Sequence, residues 1–326
     1  MSMAARRILS FYYNGGRTAL GINGVVTTVM SASRRRYELF HKRLDQFTRM
    51  LQPLREGDLL AMHRTRVASR RLREILPVLE LDAAVAARLG RRLKAVTVEL
   101  GTVRELGVLV GLVDELQRSG EFDARALRHV GNAIAAAYAQ AKARLAERMP
   151  VDEIERLARK LAKVGRELSG DKPSRGWQWA IDARVNRRAG NVLHALDAAG
   201  SMYLQERLHD VRIALKKFRY ALEISCEAAG LKPLPEIKTL KRQQDTLGRL
   251  HDLQILLDRI RQIQPSLTPP ELTTWRKIDV VIASLEDECR RLHARFVRHQ
   301  TEIRAICERV SRATEPAAPS RRAKAS

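Results

Sequence analysis

His63, Arg66, Arg70 and Arg73 fall in one narrow sector of a helix, and so do His209, Arg212, Lys216 and Arg219. At ~100° of rotation per residue, spacings of three and four stack these side chains roughly one turn apart. The two ladders are one motif written twice, His63-Arg64-Thr65-Arg66-Val67-Ala68-Ser69-Arg70-Arg71-Leu72-Arg73 and His209-Asp210-Val211-Arg212-Ile213-Ala214-Leu215-Lys216-Lys217-Phe218-Arg219. Arg71 and Lys217 occupy matching places beside the stripe. A guanidinium grips phosphate oxygens with a planar fork, and an ammonium acts on them as a compact point charge. Imidazole, with an ordinary pKa near 6.5, donates when neutral and adds charge when protonated, so binding is expected to tighten as pH falls. Like charges one turn apart repel by roughly 0.2–0.5 kcal/mol a pair, and an anion between them relieves that repulsion. Such a ladder suits several phosphates in a row, with no base to be read. A single basic helix face is more often simply solvated. Here His recurs with His and Arg with Arg at matching places, which favours a ligand site.

A fainter match follows each copy at almost the same offset. Leu93-Lys94, Leu100-Gly101 and Arg104-Glu105 correspond to Leu240-Lys241, Leu247-Gly248 and His251-Asp252. Lys94, Arg104, Lys241 and His251 add cationic groups, and Gly101 lets its helix lie close to a neighbour or a ligand. Asp245 and Asp252 are seven residues apart, on one side of a helix, and are expected to orient the arginines of the adjacent helix. Glu105 has the same expected role.

These residues must be carried by helices. Helical periodicity dominates from Arg34 onward, and alternating β-branched runs are almost absent. Helices are expected at about Ser33 to Leu54, Asp58 to Leu81, Asp82 to Ser119, Asp123 to Met149 and Val151 to Leu168. A second set runs from about Trp177 to Ala199, Met202 to Ala229, Pro235 to Gln264 and Pro270 to Arg312. The fold is therefore all-α, with a first helical bundle over 33–168, a breaker-rich linker over 169–176 and a second bundle over 177–312. Residues 1–32 read as a basic, disordered extension and 313–326 as a disordered basic tail.

Composition narrows the partner. The 326-residue chain carries 60 Lys and Arg against 37 Asp and Glu, a formal charge of +23, which calls for a polyanion or an acidic surface. Aromatic content is only 5%, poor for stacking on bases, which moves the expected anion toward phosphate. Cys226, Cys289 and Cys307 lack paired metal-ligand spacing and read as buried, reduced thiols of a cytoplasmic protein. No membrane span is expected, since Leu20 to Met30 is too short and carries polar residues. The acid-free opening stretch superficially resembles a transit peptide, but a basic extension or an early start is the plainer reading.

The doubled pattern resembles the CHAD family, the conserved histidine α-helical domain, whose hallmark is an H-x-x-R-V-x-x-R-R-L-R helix followed by an L-G-x-x-R-D helix, each present twice. The resemblance spans about Ser33 to Arg312. It implies two four-helix bundles related by an internal pseudo-two-fold duplication, with basic helices lining a shared groove that binds inorganic polyphosphate, and association with polyphosphate granules. Carried over, the ligands are His63, Arg66, Arg70, Arg71 and Arg73 in one half and His209, Arg212, Lys216, Lys217 and Arg219 in the other. Lys94, Arg104, Lys241 and His251 join them from the partner helices. Glu105 replaces the usual Asp, Gly107 replaces an acid, and His251 stands where Arg is expected. The E-x-E-x-K strand signature of the CYTH domain, which often accompanies CHAD, does not occur, so the chain reads as CHAD alone.

The expected function is non-enzymatic polyphosphate binding at granules in the cytoplasm, with granule proteins as further partners and with no cofactor, metal or catalytic residue. The alternative is a basic helical protein that binds nucleic acid or associates with the nucleoid. A phosphohydrolase or polyphosphate kinase ranks last. Phosphoryl transfer wants Mg²⁺ on carboxylates and a nucleotide cradle, whereas Asp210, Asp245 and Asp252 read more simply as arginine partners or surface charge.

Overall fold

The computed structural model describes residues 32–149, 151–169, 176–266 and 272–314. All but residue 32 of the expected extension, most of the linker and all but the first two residues of the tail lie outside the described residues. Eleven α-helices occur among the described residues. They are α1 (Ala32–Thr48), α2 (Leu51–Arg55), α3 (Leu59–Ile75), α4 (Ala83–Ser119), α5 (Ala124–Arg148), α6 (Val151–Leu168), α7 (Gly176–Ala199), α8 (Gln205–Ala228), α9 (Pro235–Ile263), α10 (Leu272–Arg298) and α11 (Gln300–Thr314). No strand occurs among the described residues.

Most boundaries follow local chemistry. Asp58, Asp82 and Asp123 cap α3, α4 and α5, their carboxylates accepting from the N–H groups of Leu60, Val85 and Arg125 with Ala126. Gly120 ends α4 in the left-handed conformation, at φ 71°. Three boundaries differ from expectation. The first helix breaks after Thr48 and resumes as the short α2. Helix α3 stops at Ile75 and passes into a 3-10 turn, Leu76–Val78, around Pro77, which cannot continue the α-helical ladder. The last long helix divides at His299, whose N–H bonds to the Phe296 carbonyl and whose own carbonyl accepts from Ile303.

With that division five helices of each half follow the same packing order, and among the described residues only the short α2 has no counterpart. The order of packed neighbours is α6, α1, α3, α4, α5 in the first half and α11, α7, α8, α9, α10 in the second. The fifth long helix expected in the first half, α6, thus has a counterpart in α11, beyond the four per bundle that the family resemblance implies. Apolar faces bury Phe40, Phe47, Leu72, Leu93 and Leu100 on one side and Trp177, Phe218, Leu240, Leu247 and Phe296 on the other, in one core cluster. Each large side chain so buried contributes roughly 1.5–3 kcal/mol of transfer free energy. The halves meet where α3 packs on α8, α4 on α9 and α5 on α10, each helix against its own counterpart in the repeat. That junction brings the two basic stripes together.

Candidate anion-binding groove

Leu72 and Phe218 point into the core, which turns the opposite faces of α3 and α8 toward each other and toward α4 and α9. The cations of both copies consequently share one electrostatic environment. Arg66 feels Arg70, Arg104 and Arg212, and Lys216 feels Arg212, Arg70, Arg66 and Arg104. Arg66 is pinned by an Nη1 donation of 2.9 Å to the Thr97 carbonyl on α4. Gly101 makes the room, since a Cβ there would come within 2.8 Å of Arg66 Nη1. Its counterpart Gly248 leaves 3.9 Å to Arg212 Nε, an ordinary contact. That Nε is buried and has no hydrogen-bond partner.

Across the junction Arg104 Nη1 lies 3.5 Å from Asp252 Oδ1, so Asp252 orients an arginine of the opposite half. Asp245 is exposed and pairs with no arginine among the described residues. Glu105 lies in the field of Arg66 and Arg212. It also lines a cavity of about 480 Å³ between α4, α5 and α9, which none of the repeat cations lines.

The titrating groups behave differently from expectation. His209 and His251 are adjacent, with ring centroids 4.8 Å apart. Burial, and then Arg212, His209, Lys216 and Arg104, push His251 down to about 3. His63 and His209 are also lowered, chiefly by burial and then by Arg104 and Arg212 respectively. Lys216 is 9% exposed, and burial followed by the surrounding arginines brings it down to about 6. The imidazoles are therefore neutral at pH 7, and Lys216 has lost most of its preference for the charged form. Histidine protonation near 6.5, expected from the sequence, does not describe this environment.

The remaining candidates divide. Arg71 and Arg219 converge on Glu223, with Arg71 Nη2 at 3.5 Å. Arg219 also donates to Gln244 Oε1 at 3.0 Å and lies 4.7 Å from the Tyr220 ring centroid, with Arg71 at 5.8 Å. Arg73 and Lys217 sit instead around Glu74 with Arg184 and Arg188 of α7. Lys94 and Lys241 are exposed on α4 and α9, and no ion pair among the described residues ties either to the groove. Tyr220, Glu223, Gln244, Glu74, Arg184 and Arg188 are not among the residues that the repeat singles out. Glu223 stands four residues after Arg219, a spacing that announces a helical ion pair; nothing local marks Arg184 and Arg188 as neighbours of Glu74.

All three cysteines are buried and free. Among the described residues, no group of three or more His, Cys, Asp or Glu side chains could hold a metal ion, and no helix is long and apolar enough to cross a membrane.

Comparison with known proteins follows the same lines. The CHAD domain model matches residues 38–261. The crystal structure of the CHAD domain from the plant Ricinus communis is similar at 21% identity and a TM-score of 0.52, over 86% of this chain and 91% of that one. PptA from Streptomyces chartreusis is similar at 18% identity and a TM-score of 0.60, over 83% of this chain and 100% of that one. At such identities the likeness is one of fold. No curated protein matches.

Proposed function

The chain belongs to the CHAD domain family, and from that premise we propose that the groove binds inorganic polyphosphate through His63, Arg66, Arg70, Arg104, His209, Arg212, Lys216 and His251. The observation that carries this reading is Lys216, a buried amine set among Arg66, Arg70, Arg104 and Arg212 with no acid bonded to it. Burying cations together is costly unless anions accompany them. An unbranched chain of phosphates supplies one negative group after another along such a ladder, and polyphosphate is the anion that the family resemblance implies. Association with polyphosphate granules, directly or with granule proteins, follows from that ligand.

The groove is a binding site and not a catalytic one. Asp252 is held by Arg104, Glu223 by Arg71 and Arg219, and Glu74 by Arg184 and Arg188, which among the described residues leaves Glu105 as the unpaired carboxylate in the field of Arg66 and Arg212. Titration with polyphosphates of graded length, against orthophosphate, should show affinity rising with length. Equal binding of chain and orthophosphate would sink the proposal. Excess duplex DNA at matched phosphate concentration should not displace the chain; displacement would favour the nucleic-acid reading. Orthophosphate released by the protein with Mg²⁺, and lost in a His63→Ala, His209→Ala double variant, would make it an enzyme.

A further inference from the structure

The repeat predicts two equivalent flanks beside the groove, one holding Arg73 with Lys217 and the other holding Arg219 with Arg71. Their ion pairing differs. On the second flank the counterpart cations are matched: Arg71 and Arg219 by Glu223, with Lys42 and Arg43 on Glu227 one turn further. Arg219 is only 9% exposed and is further tied to Gln244. On the first flank a single carboxylate, Glu74, is taken by Arg188 Nε at 2.8 Å and Arg184 Nη2 at 3.0 Å. Arg73 and Lys217 share its neighbourhood but pair with no acid among the described residues, and Lys217 is exposed. Arg73 stands one turn beyond Arg70 on α3 and lies in its field, so this flank adjoins the basic stripe.

The cause is legible in the repeat. Continuing the match past Arg73 and Arg219 sets Pro77 against Glu223. Helix α8 runs on to Ala228 and carries Glu223 back onto Arg219, whereas α3 ends at Ile75 and Pro77 offers no acceptor side chain. Likewise Thr97 stands where Gln244 holds Arg219, and its hydroxyl is spent on the Leu93 carbonyl at 2.8 Å. Two cations that are satisfied in one copy are left without partners in the other.

We propose that the groove is open to its ligand on one side only: a polyphosphate chain longer than the groove leaves it over Arg73 and Lys217, while Glu223 closes the equivalent side. This rests on the polyphosphate reading of the groove. Arg73 and Lys217 then act on chain length and contribute nothing to a short ligand held between Arg66, Arg70, Arg212 and Lys216. Calorimetric titration of the full chain with tripolyphosphate and with long-chain polyphosphate separates the two roles.

An Arg73→Ala, Lys217→Ala double variant should lose roughly tenfold or more in affinity for the long chain, since each charge-assisted phosphate contact is strong. Tripolyphosphate affinity should stay within about twofold, as two charges outside its reach cost it little. Lys42→Ala, which removes a paired cation of the closed side, should change neither. An Arg73→Gln, Lys217→Gln pair repeats the test with longer side chains should the alanine pair unfold. Equal losses for both ligands, or a Lys42→Ala loss as large as that of the double variant, overturns the one-sided track and leaves the polyphosphate reading standing. If the unaltered protein binds neither chain better than orthophosphate, that reading fails and the track falls with it.

Discussion

Lys216 couples the stability of the fold to pH. Its ordinary pKa of 10.5 is brought down to about 6 by burial and then by Arg212, Arg70, Arg66 and Arg104. Between those values the unfolded chain holds a proton that the folded chain does not, so stability rises with pH across the window, by up to about 1.4 kcal/mol per unit for one fully titrating group. The lowered histidines act in the same direction below their ordinary 6.5. The buried thiols act in the opposite direction above about 9, where the unfolded chain releases protons first. Thermal unfolding of the ligand-free protein should therefore give a melting temperature that climbs from pH 6 to 8.5, and Lys216→Met should flatten the climb while weakening polyphosphate binding. A Lys216→Met profile parallel to that of the unaltered protein would contradict a neutral buried amine. Phosphate oxygens favour the charged ammonium, so polyphosphate should bind with proton uptake near pH 8, read as a dependence of the calorimetric heat on buffer ionisation.

At the scale of helices, α4 and α9 hold the same Leu-Gly pair for different ends. Alanine replacing glycine inside a helix gains up to about 1 kcal/mol of propensity. At Gly248 the new methyl meets Arg212 Nε at 3.9 Å, so Gly248→Ala should raise the melting temperature and leave ligand affinity alone. At Gly101 it would stand 2.8 Å from Arg66 Nη1, displacing that guanidinium from the Thr97 carbonyl, so Gly101→Ala should cost affinity several-fold with little loss of stability. Comparing melting curves and titrations of the two variants checks both statements, and identical behaviour would refute them. Helix α3 depends on Glu74 to join α7. Glu74→Ala leaves Arg184, only 8% exposed, without its partner, an uncompensated buried charge that costs about 3–5 kcal/mol in denaturant unfolding. Much of this level is legible in the sequence. The aspartate caps, the glycine stop of α4 and the stripes on α3 and α8 follow from local rules. The break at His299 is not legible, because no breaker residue marks it; α11 turns there to pack on α7. Nor are the clasp of Glu74 on Arg184 and Arg188 and the reach of Arg71 to Glu223, which require knowing that α3 lies against α8 and that α7 lies beside Pro77 and its turn.

Across the whole molecule, charge and junction pull in opposite directions. A formal charge of +23 repels itself over distances that moderate salt screens, with a Debye length of about 10 Å at 0.1 M. The halves are also joined by ion pairs, exposed ones such as Arg249 with Glu115 and Lys277 with Asp123, and buried ones such as Arg184 with Glu74. The exposed pairs contribute about 0–1 kcal/mol each, and salt weakens them. Buried pairs are screened much less. Self-repulsion therefore dominates the response of the ligand-free protein, and adding salt to a dilute buffer should raise its melting temperature. With polyphosphate bound, the dominant attraction is between phosphates and the groove, which the same salt weakens, so the melting temperature of the complex should fall. Melting curves with and without long-chain polyphosphate, at low and at moderate NaCl, should approach one another from opposite sides. Two curves that rise together would mean that the ligand's contacts are not electrostatic, and would remove the physical basis for a polyanion in the groove.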